Sequence, residues 1–585
     1  ALAGVALLLR PRPAPAVVPP MRFVLSSTDS ATPARSFPWP AATSPDGGTV
    51  VYSVTPVGEN GHLAGRLYFQ RTDQLLAREI PGTIGAAQPY FSPDGQWVGF
   101  EQQGKERKVR LDGSAPVTIA NAGAFNGSNW TVNNEILLGN WGPFKGLSRV
   151  SAAGGTPVAL TTVDTARGER EHLWPLGTPD GRHAVFIIYH GGLASAELGL
   201  ASLKDGTVTR LGVKAIRPLA VLDGWLVYLK ADGSVMAVRL DVGAGKVVGS
   251  PIPVHDPVAV VPGLNGNSEI YISRGGALVT SIGSATATIA WVAPGGAPSP
   301  IRTKTETGAW ATLRLSPDQH RIAVLAGTSG QSDVWIEDLS LGTFSRLTTV
   351  NTVISVGWTP DGSDVLYFST SESGTTLWRQ RASGGSPAEK LIELPYSAGG
   401  AIMSPDGKSV LLSVIPGDVW SLQRLVLDST PAVHDYLSSR GSLHAPEFSP
   451  DGKWVAVVND ESGQDEVYIR SYPDPLTRLQ VSAGGGAAPM WSADGSRLYY
   501  LSGPTLIEAR LATRPALTVL GRDTVMASFP SAGTDAQWSA ASYQPTRDGR
   551  RFLTTVPERN DYRLVISPNW ITEFRRRVAE SGGAR

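Results

Sequence analysis

The sequence lacks cysteine altogether and has few charged side chains. Of its 585 residues none is Cys, and only 17% are Asp, Glu, Lys or Arg. Without cysteine the chain can form no disulfide, no thiolate metal site and no catalytic thiol. Lys and Arg together number 51, as do Asp and Glu, so the formal net charge is zero. That balance does not favour a nucleic-acid surface, and we expect no nucleic-acid partner.

The motifs of several enzyme classes are also missing. The sequence has no G-x-S-x-G nucleophile elbow, no H-E-x-x-H zinc motif, and neither the H-R-D nor the D-F-G motif of protein kinases. An A-P-E triplet at 445–447 leads directly into a turn motif and belongs to the repeat described next. We therefore expect no catalytic residue, no cofactor and no metal site in this chain.

What the sequence has instead is a turn motif that recurs along its length. Pro presets φ at the second turn position, Asp bonds to nearby backbone, and Gly takes the positive φ that follows. We interpret these Asp residues as turn formers and not as catalytic carboxylates. The clearest copies read SPDG or TPDG, and the spacing averages about 46 residues, as in propeller blades. The twelve copies begin at Ser44, Ser92, Thr131, Thr178, Val221, Ser273, Ser316, Thr359, Ser404, Ser449, Ser492 and Thr546.

Short strand-like runs flank each turn, and about four strands per repeat make one propeller blade. Because a single propeller has roughly four to eight blades, twelve blades require two rings. We predict an all-β protein of two tandem β-propellers, with about six four-stranded blades each, and a short C-terminal helix. The predicted bounds are 1–20 for an apolar end and tether, 21–296 and 297–566 for the propellers, and 567–585 for the helix and tail.

The two ends of the repeat array predict how the rings close. Residues 21–27 form a lone strand ahead of the first repeat, whereas the last repeat has a third strand, 563–566, but no fourth. An incomplete blade would leave unpaired strand edges. We predict that strand 21–27 completes the sixth blade beside 288–293, and that 299–303 completes the twelfth beside 563–566. The helix that follows is expected to pack on the second ring.

The chain begins with nine apolar residues, ALAGVALLL, followed by a Pro-rich stretch at 10–20. As a helix, nine residues span about 14 Å, roughly half of a bilayer core. We interpret them as the end of a transmembrane helix, which predicts a membrane partner through this segment and an extracytoplasmic, periplasmic location. A signal-peptide remnant or a disordered arm is the alternative.

One segment between blades carries chemistry that the repeat does not require. Residues 168–175, GEREHLWP, enter the first strand of the fourth unit, and first strands line the channel of a propeller. Charges and an aromatic ring at a channel mouth suit ligand recognition. The alternatives are a solvated loop and, for the tryptophans that recur before turns, packing between blades. The candidate binding residues are Glu169, Arg170, Glu171, His172, Trp174, Trp358, Glu447 and Trp491.

Longer segments resemble a known family. These are FSPDGKWVAVVNDESGQDEVYIRSYPDP from Phe448, VSAGGGAAPMWSADGSRLYYLSG at 481–503, and VISPNWITEFRRR near the end. From about residue 20 to 580 the chain resembles the TolB-like β-propeller half of bacterial membrane-bound serine/threonine protein kinases. In that family the kinase domain precedes the propeller, so the resemblance implies a non-catalytic sensor that binds an unknown protein or small molecule. The alternatives are a periplasmic TolB-like scaffold that binds envelope proteins, and the propeller of a prolyl-oligopeptidase-like peptidase without its catalytic domain.

Overall fold

A computed structural model provides the structure of the chain. It describes residues 21–25, 31–33, 41–56, 65–102, 104–121, 126–139, 145–191, 193–258, 260, 268–282, 285–301, 312–328, 331–371, 374–416, 420–428, 431–462, 464–514, 516–530, 543–560 and 563–582.

The first part of the chain contributes twenty-four strands to one ring of blades. They are β1 (Phe23–Val24), β2 (Ala31–Pro33), β3 (Ala41–Thr43), β4 (Thr49–Pro56), β5 (Arg66–Arg71), β6 (Arg78–Glu79), β7 (Ala86–Phe91), β8 (Trp97–Gln102), β9 (Lys105–Arg110), β10 (Val117–Ala120), β11 (Ser128–Trp130), β12 (Glu135–Gly139), β13 (Leu147–Ser151), β14 (Val158–Ala159), β15 (Glu171–Gly177), β16 (His183–Tyr189), β17 (Glu197–Ser202), β18 (Val208–Lys214), β19 (Arg217–Leu222), β20 (Trp225–Leu229), β21 (Val235–Asp241), β22 (Lys246–His255), β23 (Ile270–Ile272) and β24 (Leu278–Ile282). A turn of 3-10 helix, Thr165–Arg167, precedes β15.

The next part contributes twenty-four strands to a second ring. They are β25 (Ala285–Val292), β26 (Ser299–Pro300), β27 (Leu313–Leu315), β28 (Arg321–Thr328), β29 (Gln331–Asp338), β30 (Thr343–Arg346), β31 (Val353–Trp358), β32 (Asp364–Ser371), β33 (Gly374–Arg381), β34 (Glu389–Leu394), β35 (Ser397–Met403), β36 (Ser409–Ile415), β37 (Ser421–Val426), β38 (Ala432–Leu437), β39 (Leu443–Phe448), β40 (Trp454–Asn459), β41 (Glu466–Ser471), β42 (Arg478–Gln480), β43 (Ala487–Trp491), β44 (Arg497–Ser502), β45 (Thr505–Ala512), β46 (Thr518–Met526), β47 (Tyr543–Pro545) and β48 (Phe552–Asn560). Strand β49 (Arg563–Ser567) and helix α1 (Trp570–Gly582) follow.

Within the described residues the strands form twelve antiparallel sheets, eleven of four strands and one of five. The inner strands β3, β7, β11, β15, β19 and β23 contact one another in turn, and β23 returns to β3. A second circuit runs through β27, β31, β35, β39, β43 and β47 and returns to β27. The prediction of two six-bladed β-propellers is therefore confirmed. We number the blades 1 to 6 in the first propeller and 7 to 12 in the second, in the order of their inner strands.

The recurring motif forms a tight turn between the first and second strands of a blade. In blade 10 the Ser449 hydroxyl donates to Asp451 Oδ1 at 2.6 Å and accepts the Trp454 N–H at 3.0 Å. Gly452 closes the turn with φ of 69° and donates its N–H to the Ser449 carbonyl. The Asp side chain is thus committed to its own turn, and equivalent bonds recur at Ser44, Ser92, Thr178 and other copies. The core lies between successive blades: Val51 of blade 1, for example, packs with Val98 and Phe100 of blade 2.

The predicted closure of the rings was wrong in its pairing. Strand β1 does complete blade 6, but it pairs with β49, so that Phe23 faces Ile566. Strand β26 completes blade 12, but it pairs with β25. The third strands of the two closing blades are exchanged: β49 pairs with β24 in the first propeller, and β25 pairs with β48 in the second.

The exchange joins the propellers through a two-stranded ribbon. Ile282 faces Arg563 at the end of one sheet, and Ala285 faces Asn560 at the start of the next, three residues farther along each strand. The same antiparallel register therefore passes from one propeller into the other. Counting turns could not predict this arrangement, because it treats every strand as the hairpin partner of the strand before it. For the propeller bounds, we propose 21–282 with 563–582, and 285–560.

Helix α1 packs on the first propeller, which corrects the prediction that it packs on the second. Its Trp570 and Phe574 are buried with Ile270 and Leu278 of blade 6 and Leu229 of blade 5. The helix follows β49 directly, and the exchange has placed β49 in blade 6.

The prediction of a membrane partner through an apolar N-terminal segment is contradicted. Over the parts of the chain that the structure describes, no helix combines the length and the apolar character needed to cross a bilayer. Residues 1–20, on which the prediction was based, lie outside the described residues.

Candidate functional site

The axial channel of the first propeller encloses a cavity of about 110 Å³. All six inner strands contribute to its wall, from Thr43 in blade 1 to Tyr271 in blade 6. The lining includes aromatic side chains and two arginines, and the members used below are Tyr90, Trp130, Trp174, Arg217, Tyr271 and Arg274. A second cavity, beside Arg314 in the second propeller, measures about 10 Å³.

Trp174 enters the cavity from a bulge in β15. The pairing of β15 with β16 shifts between Leu173 and Leu176, and Trp174 takes φ of 53° just before Pro175. Its N–H donates to the Asn126 carbonyl of blade 3 at 2.7 Å. Gly127 makes room for the indole, because a Cβ there would lie 2.5 Å from the Trp174 ring. The same positive φ recurs at Gln88, Ala445 and Ala488, which occupy the equivalent position in other blades, so this conformation belongs to the repeat and the indole is what distinguishes blade 4.

Arg217 of blade 5 stacks on the ring of Trp174. Its guanidinium carbon lies 4.3 Å from the ring centroid, which places a cation over the negative face of the indole. Burial lowers the pKa of Arg217 to about 10, so the guanidinium remains charged at neutral pH.

Arg274 reaches across the channel from the turn of blade 6. Its Nη2 donates to the Trp130 carbonyl of blade 3 at 3.2 Å, whereas its Nη1 is buried without a hydrogen-bond partner. Tyr271 interacts electrostatically with both Arg217 and Arg274. Burial raises the pKa of Tyr271 to about 12, so its hydroxyl keeps its proton at neutral pH.

A buried carboxyl group lies behind this wall. Glu106 accepts hydrogen bonds from the hydroxyls of Tyr90 and Ser128, both of which line the cavity. Burial raises the pKa of Glu106 to about 7, and the nearby Glu101 adds to the shift. Both of its oxygens are thus occupied by neutral donors.

In the second propeller the arginine near the axis forms an ion pair. Arg314 of blade 7 lies 3.3 Å from the Glu447 carboxylate of blade 10, and the two side chains are 9% and 16% exposed. The cavity beside this ion pair measures about 10 Å³. The axial cation here has its counter-charge, and the space around it is nearly filled.

The sequence candidates Glu169 and His172 form a buried network at the start of β15. Glu169 Oε2 lies 3.1 Å from His172 Nε2, and Glu169 Oε1 accepts a hydrogen bond from Arg210 at 2.6 Å. Burial opposes ionisation of Glu169, but the bonds from His172, the Asp164 N–H and Arg210 outweigh it and lower its pKa to about 2. His172 is fully buried, so neither ring nitrogen faces solvent.

The hydroxyl of Thr161 lies 2.7 Å from His172 Nδ1, which gives a hydroxyl–imidazole–carboxylate chain. The geometry resembles a catalytic triad, but the hydroxyl is part of the blade architecture. Thr161 accepts the N–H of Leu147, the first residue of the third strand in blade 3. The same bond recurs at Thr83, Thr348 and Ser482 in other blades. Because all four hydroxyls are buried, we interpret the hydrogen-bonded Thr161, His172 and Glu169 as a structural network that stabilises the blade.

The remaining candidates lie in three places. Arg170 and Glu171 flank the buried network and are partly exposed. Trp358 donates its indole N–H to the Arg314 carbonyl of the preceding blade, and Trp491 donates to the Glu447 carbonyl in the same way. The structure thus brings Trp358, Glu447 and Trp491 together around the Arg314–Glu447 ion pair, whereas Trp174 lines the cavity of the first propeller.

Sequence reasoning missed Arg217, Arg274 and Tyr271. A signal for Arg217 existed in the repeat register, six residues before the turn Asp. In the first propeller four of the five residues at that position are large or polar and one is glycine, whereas in the second propeller all five are small. The occupants are Gln88, Gly127, Trp174, Arg217 and Glu269 in blades 2 to 6, and Thr312, Ser355, Gly400, Ala445 and Ala488 in blades 7 to 11.

Across the described ranges, no three His, Asp or Glu side chains lie close enough together to hold a metal ion.

Comparisons with known proteins extend the description of the fold. No family model matches the chain. An uncharacterized protein of Agrobacterium fabrum, Atu1656, is 28% identical over 151 residues, which are 25% of this chain and 50% of that protein. The uncharacterized peptidase YuxL of Bacillus subtilis is 26% identical over 153 residues, 19% of this chain and 23% of YuxL. The chain thus spans half or less of the length of these relatives.

Among solved structures, a putative TolB from Agrobacterium tumefaciens is 18% identical with a TM-score of 0.37, over 48% of this chain and all of that one. TolB from Acinetobacter baumannii is 16% identical with a TM-score of 0.32, over 58% of this chain and 80% of that one. The tricorn protease is 11% identical with a TM-score of 0.31, over 88% and 57%. These similarities concern the fold alone, and the kinase parentage stays a hypothesis.

Proposed function

We propose that the chain is a recognition module whose first propeller takes a ligand into its axial channel. The observation that carries the proposal is the cavity of about 110 Å³ at the axis of the first propeller, to which all six inner strands and two arginines contribute. In the second propeller, the cavity beside the Arg314–Glu447 ion pair measures about 10 Å³. Concave sites with a few convergent polar groups are the usual places for ligands. The second propeller then serves as the scaffold.

A binding role without catalysis is supported by the state of the titratable groups. The turn aspartates are committed to their own turns, and the chain formed by Thr161, His172 and Glu169 is buried. A peptidase role is the second candidate, because one relative bears the name of a peptidase. Assays of the purified chain for proteolysis, ester hydrolysis and protein phosphorylation decide between them. We expect no turnover in any of the three, and robust turnover would overturn the binding role.

The finer hypothesis is that this module is the extracytoplasmic sensor of a serine/threonine protein kinase. It rests on the resemblance carried by residues 448–475, 481–503 and 565–577. The gene that encodes the chain provides the test. A kinase domain upstream supports the hypothesis, whereas a signal peptide alone favours a TolB-like scaffold and a hydrolase domain downstream favours a peptidase.

A channel-filling variant tests the location of the site. Val221 lines the cavity and is partly exposed at the edge of the core, so the larger side chain of Val221→Trp should occupy the space, and its thermal unfolding is compared with that of the unmodified chain. Val350→Trp is the matched control, because Val350 is 47% exposed on the second propeller. Both variants and the unmodified chain are screened by ligand-observed NMR against small organic acids, amines and neutral polyols. We expect compounds that bind the unmodified chain and the control but not Val221→Trp. Binding that survives in Val221→Trp, or no binding in any class, would contradict the proposal.

A further inference from the structure

Two cations in the first channel have no counter-charge. Arg217 and Arg274 line the same cavity, and within the described residues neither lies at ion-pair distance from a carboxylate. Removing a charge from water is costly unless a partner of opposite sign compensates it. In the second propeller Glu447 supplies that partner to Arg314. Among the described residues of the first propeller, no carboxylate plays this part for Arg217 or Arg274.

Most of the donors on these guanidinium groups are unused. Arg217 makes one long hydrogen bond, from Nη1 to Ser268 Oγ at 3.5 Å, and Arg274 makes one, from Nη2 to the Trp130 carbonyl. A guanidinium has five N–H donors, and stacking on Trp174 occupies the face of Arg217 but not its edge. The buried Nη1 of Arg274 has no hydrogen-bond partner among the described residues, and Arg274 lines the cavity, so this donor is available to a molecule inside it.

Neutral donors surround the two cations. The hydroxyl of Tyr271, whose pKa is raised by burial, lies in the field of both. Asn129 lines the cavity and accepts the Gly177 N–H on its Oδ1 at 2.9 Å, so the other end of its amide is the NH₂ donor. Glu106 lies behind the wall and is already bonded by Tyr90 and Ser128, and the buried Glu269 accepts a hydrogen bond from Ser281. Tyr271 and Asn129 thus add neutral donors to the two guanidinium groups.

We infer that the first-propeller channel binds an oxyanion, namely the carboxylate of a small organic acid or a phosphate, held between Arg217 and Arg274. The inference rests on the proposed function and names the ligand class of the same site. Two fixed guanidinium edges match the two oxygens of a carboxylate or phosphate through charge-assisted hydrogen bonds. Trp174 fixes the plane of Arg217, and the indole walls suit the carbon skeleton of an organic acid.

Titration of the whole chain with succinate and, separately, with inorganic phosphate tests the inference. Binding is measured by calorimetry and by the fluorescence of the channel tryptophans, at low and at high ionic strength. We expect at least one of the two anions to bind with a dissociation constant of millimolar or lower. Arg217→Gln and Arg274→Gln should each weaken that binding about tenfold or more, since each removes charge-assisted hydrogen bonds.

Arg239→Gln is the matched control. Arg239 also stacks on a tryptophan, Trp225, at 5.6 Å, but it lies on the exposed outer part of blade 5. The Arg239→Gln variant should bind the anion as tightly as the unmodified chain. Should an Arg variant fail to fold, Val221→Trp provides a second route, because it blocks the cavity and keeps both arginines.

The outcomes separate the inference from the proposed function. Binding of succinate alone or of phosphate alone identifies the source of the oxyanion, and either result supports the site. If neither anion binds, or if the Arg→Gln variants bind as well as the unmodified chain, the inference is wrong. If amines or polyols bind and Val221→Trp abolishes that binding, the proposed ligand site stands although the oxyanion inference fails. If no compound binds in this way, both the inference and the proposed function are wrong.

Discussion

The guanidinium carbon of Arg217 lies 4.3 Å from the centroid of the Trp174 ring, and the two residues occupy the same repeat position in adjacent blades. Each stands six residues before its turn Asp, where the inner strand bulges. In both blades this position lies at the cavity wall. Arg274 reaches the same cavity from the turn of blade 6, so the wall combines residues from more than one repeat position.

Replacing Arg217 by Met should stabilise the ligand-free chain. The variant removes a desolvated charge that has no carboxylate partner and keeps most of the side-chain volume, and such replacements are often stabilising. We expect an increase of about 1 kcal/mol in the free energy of unfolding, which for a propeller of this size raises Tm by roughly 2–4 °C. Calorimetry without added anions provides the measurement.

The control for Arg217→Met is Arg314→Met in the second propeller. This variant leaves the Glu447 carboxylate without its partner, and burial raises the pKa of Glu447 while Arg314 opposes that rise. Breaking a buried pair on one side typically costs about 3–5 kcal/mol. We expect the free energy of unfolding to rise in Arg217→Met and to fall in Arg314→Met. Destabilisation of similar size in both would show that Arg217 is an ordinary structural cation.

The carboxyl group of Glu106 should make stability depend on pH. Its folded-state pKa of about 7 lies above the ordinary value of 4.5, because burial favours the protonated form. The folded chain therefore binds the extra proton between pH 4.5 and 7, and this contribution is lost as pH rises through 7. The contribution is a few kcal/mol at most, because each pH unit between the folded and unfolded pKa values corresponds to about 1.4 kcal/mol.

The measurement is the free energy of unfolding from about pH 5 to about pH 8 for the unmodified chain and for Glu106→Gln. The variant should show a smaller decline, because an amide cannot ionise. Glu79→Gln is the control: Glu79 also accepts a hydrogen bond from a tyrosine, Tyr68, but the pair is exposed. An equal decline in the unmodified chain and in Glu106→Gln would rule out this source of the pH dependence.

The turn of blade 10 should be more sensitive to its glycine than to its aspartate. Asp451→Ala removes hydrogen bonds to Ser449 and Lys453 and should cost about 1 kcal/mol. Gly452→Val places a β-branched residue at φ of 69° and should cost more, about 1–3 kcal/mol or above.

Thermal unfolding of the two turn variants is compared with that of Gly243→Val. Gly243 is exposed, has no positive φ, and its nearest contact is the Asp241 side chain at 3.7 Å. The control should therefore lie close to the unmodified chain. A Tm for Gly452→Val as high as that of the control would argue against a left-handed glycine in this turn.

A chain that ends at residue 562 should lose the first propeller and keep the second. The truncation removes β49 and α1, and with them the third strand of blade 6 and the buried Trp570 and Phe574. Every strand of blades 7 to 12 remains. Amide hydrogen exchange should show full protection in 353–358 and lost protection in 270–282. Parallel loss in both segments would mean that the two propellers unfold as one unit.

A chain that begins at Leu25 is the matched truncation at the other end. It removes β1, of which Phe23 and Val24 are 43% and 54% exposed. Blade 6 keeps its other three strands, so protection in 270–282 should fall only slightly. If strand 21–27 alone closed the ring, its loss would instead open the first propeller and remove the protection of 270–282.

Much of the fold follows from the sequence because each turn is a local event. Ser449, Asp451 and Gly452 build their turn from contacts within six residues, and twelve such copies fix the number of blades. The exchange of β25 and β49 could not be predicted in this way. It depends on which of two equivalent edges a strand pairs with, and the candidate partners, such as Ile282 and Arg563, lie far apart in the chain.

The residues of the candidate site could be predicted from the sequence only in part, for a similar reason. Trp174 could be selected from its local sequence, because it stands in a charged segment at the start of a first strand. Arg274 occupies the Pro position of a degraded turn motif, and its reach to the Trp130 carbonyl depends on the diameter of the ring. Glu169 was selected for its charge, but its bonds to His172 and Arg210 use that charge internally.

The exchanged strands also set the order in which the molecule can be completed on the ribosome. Blade 6 needs β49, which is translated about 285 residues after β24. At about 5–20 residues per second, the first propeller waits roughly 15–60 s with an open edge at β24. During that time the emerging second propeller acquires every strand it needs, since β25 is made before it. Because β48 ends at Asn560 and β49 begins at Arg563, the second propeller receives its last strand just before the first one does.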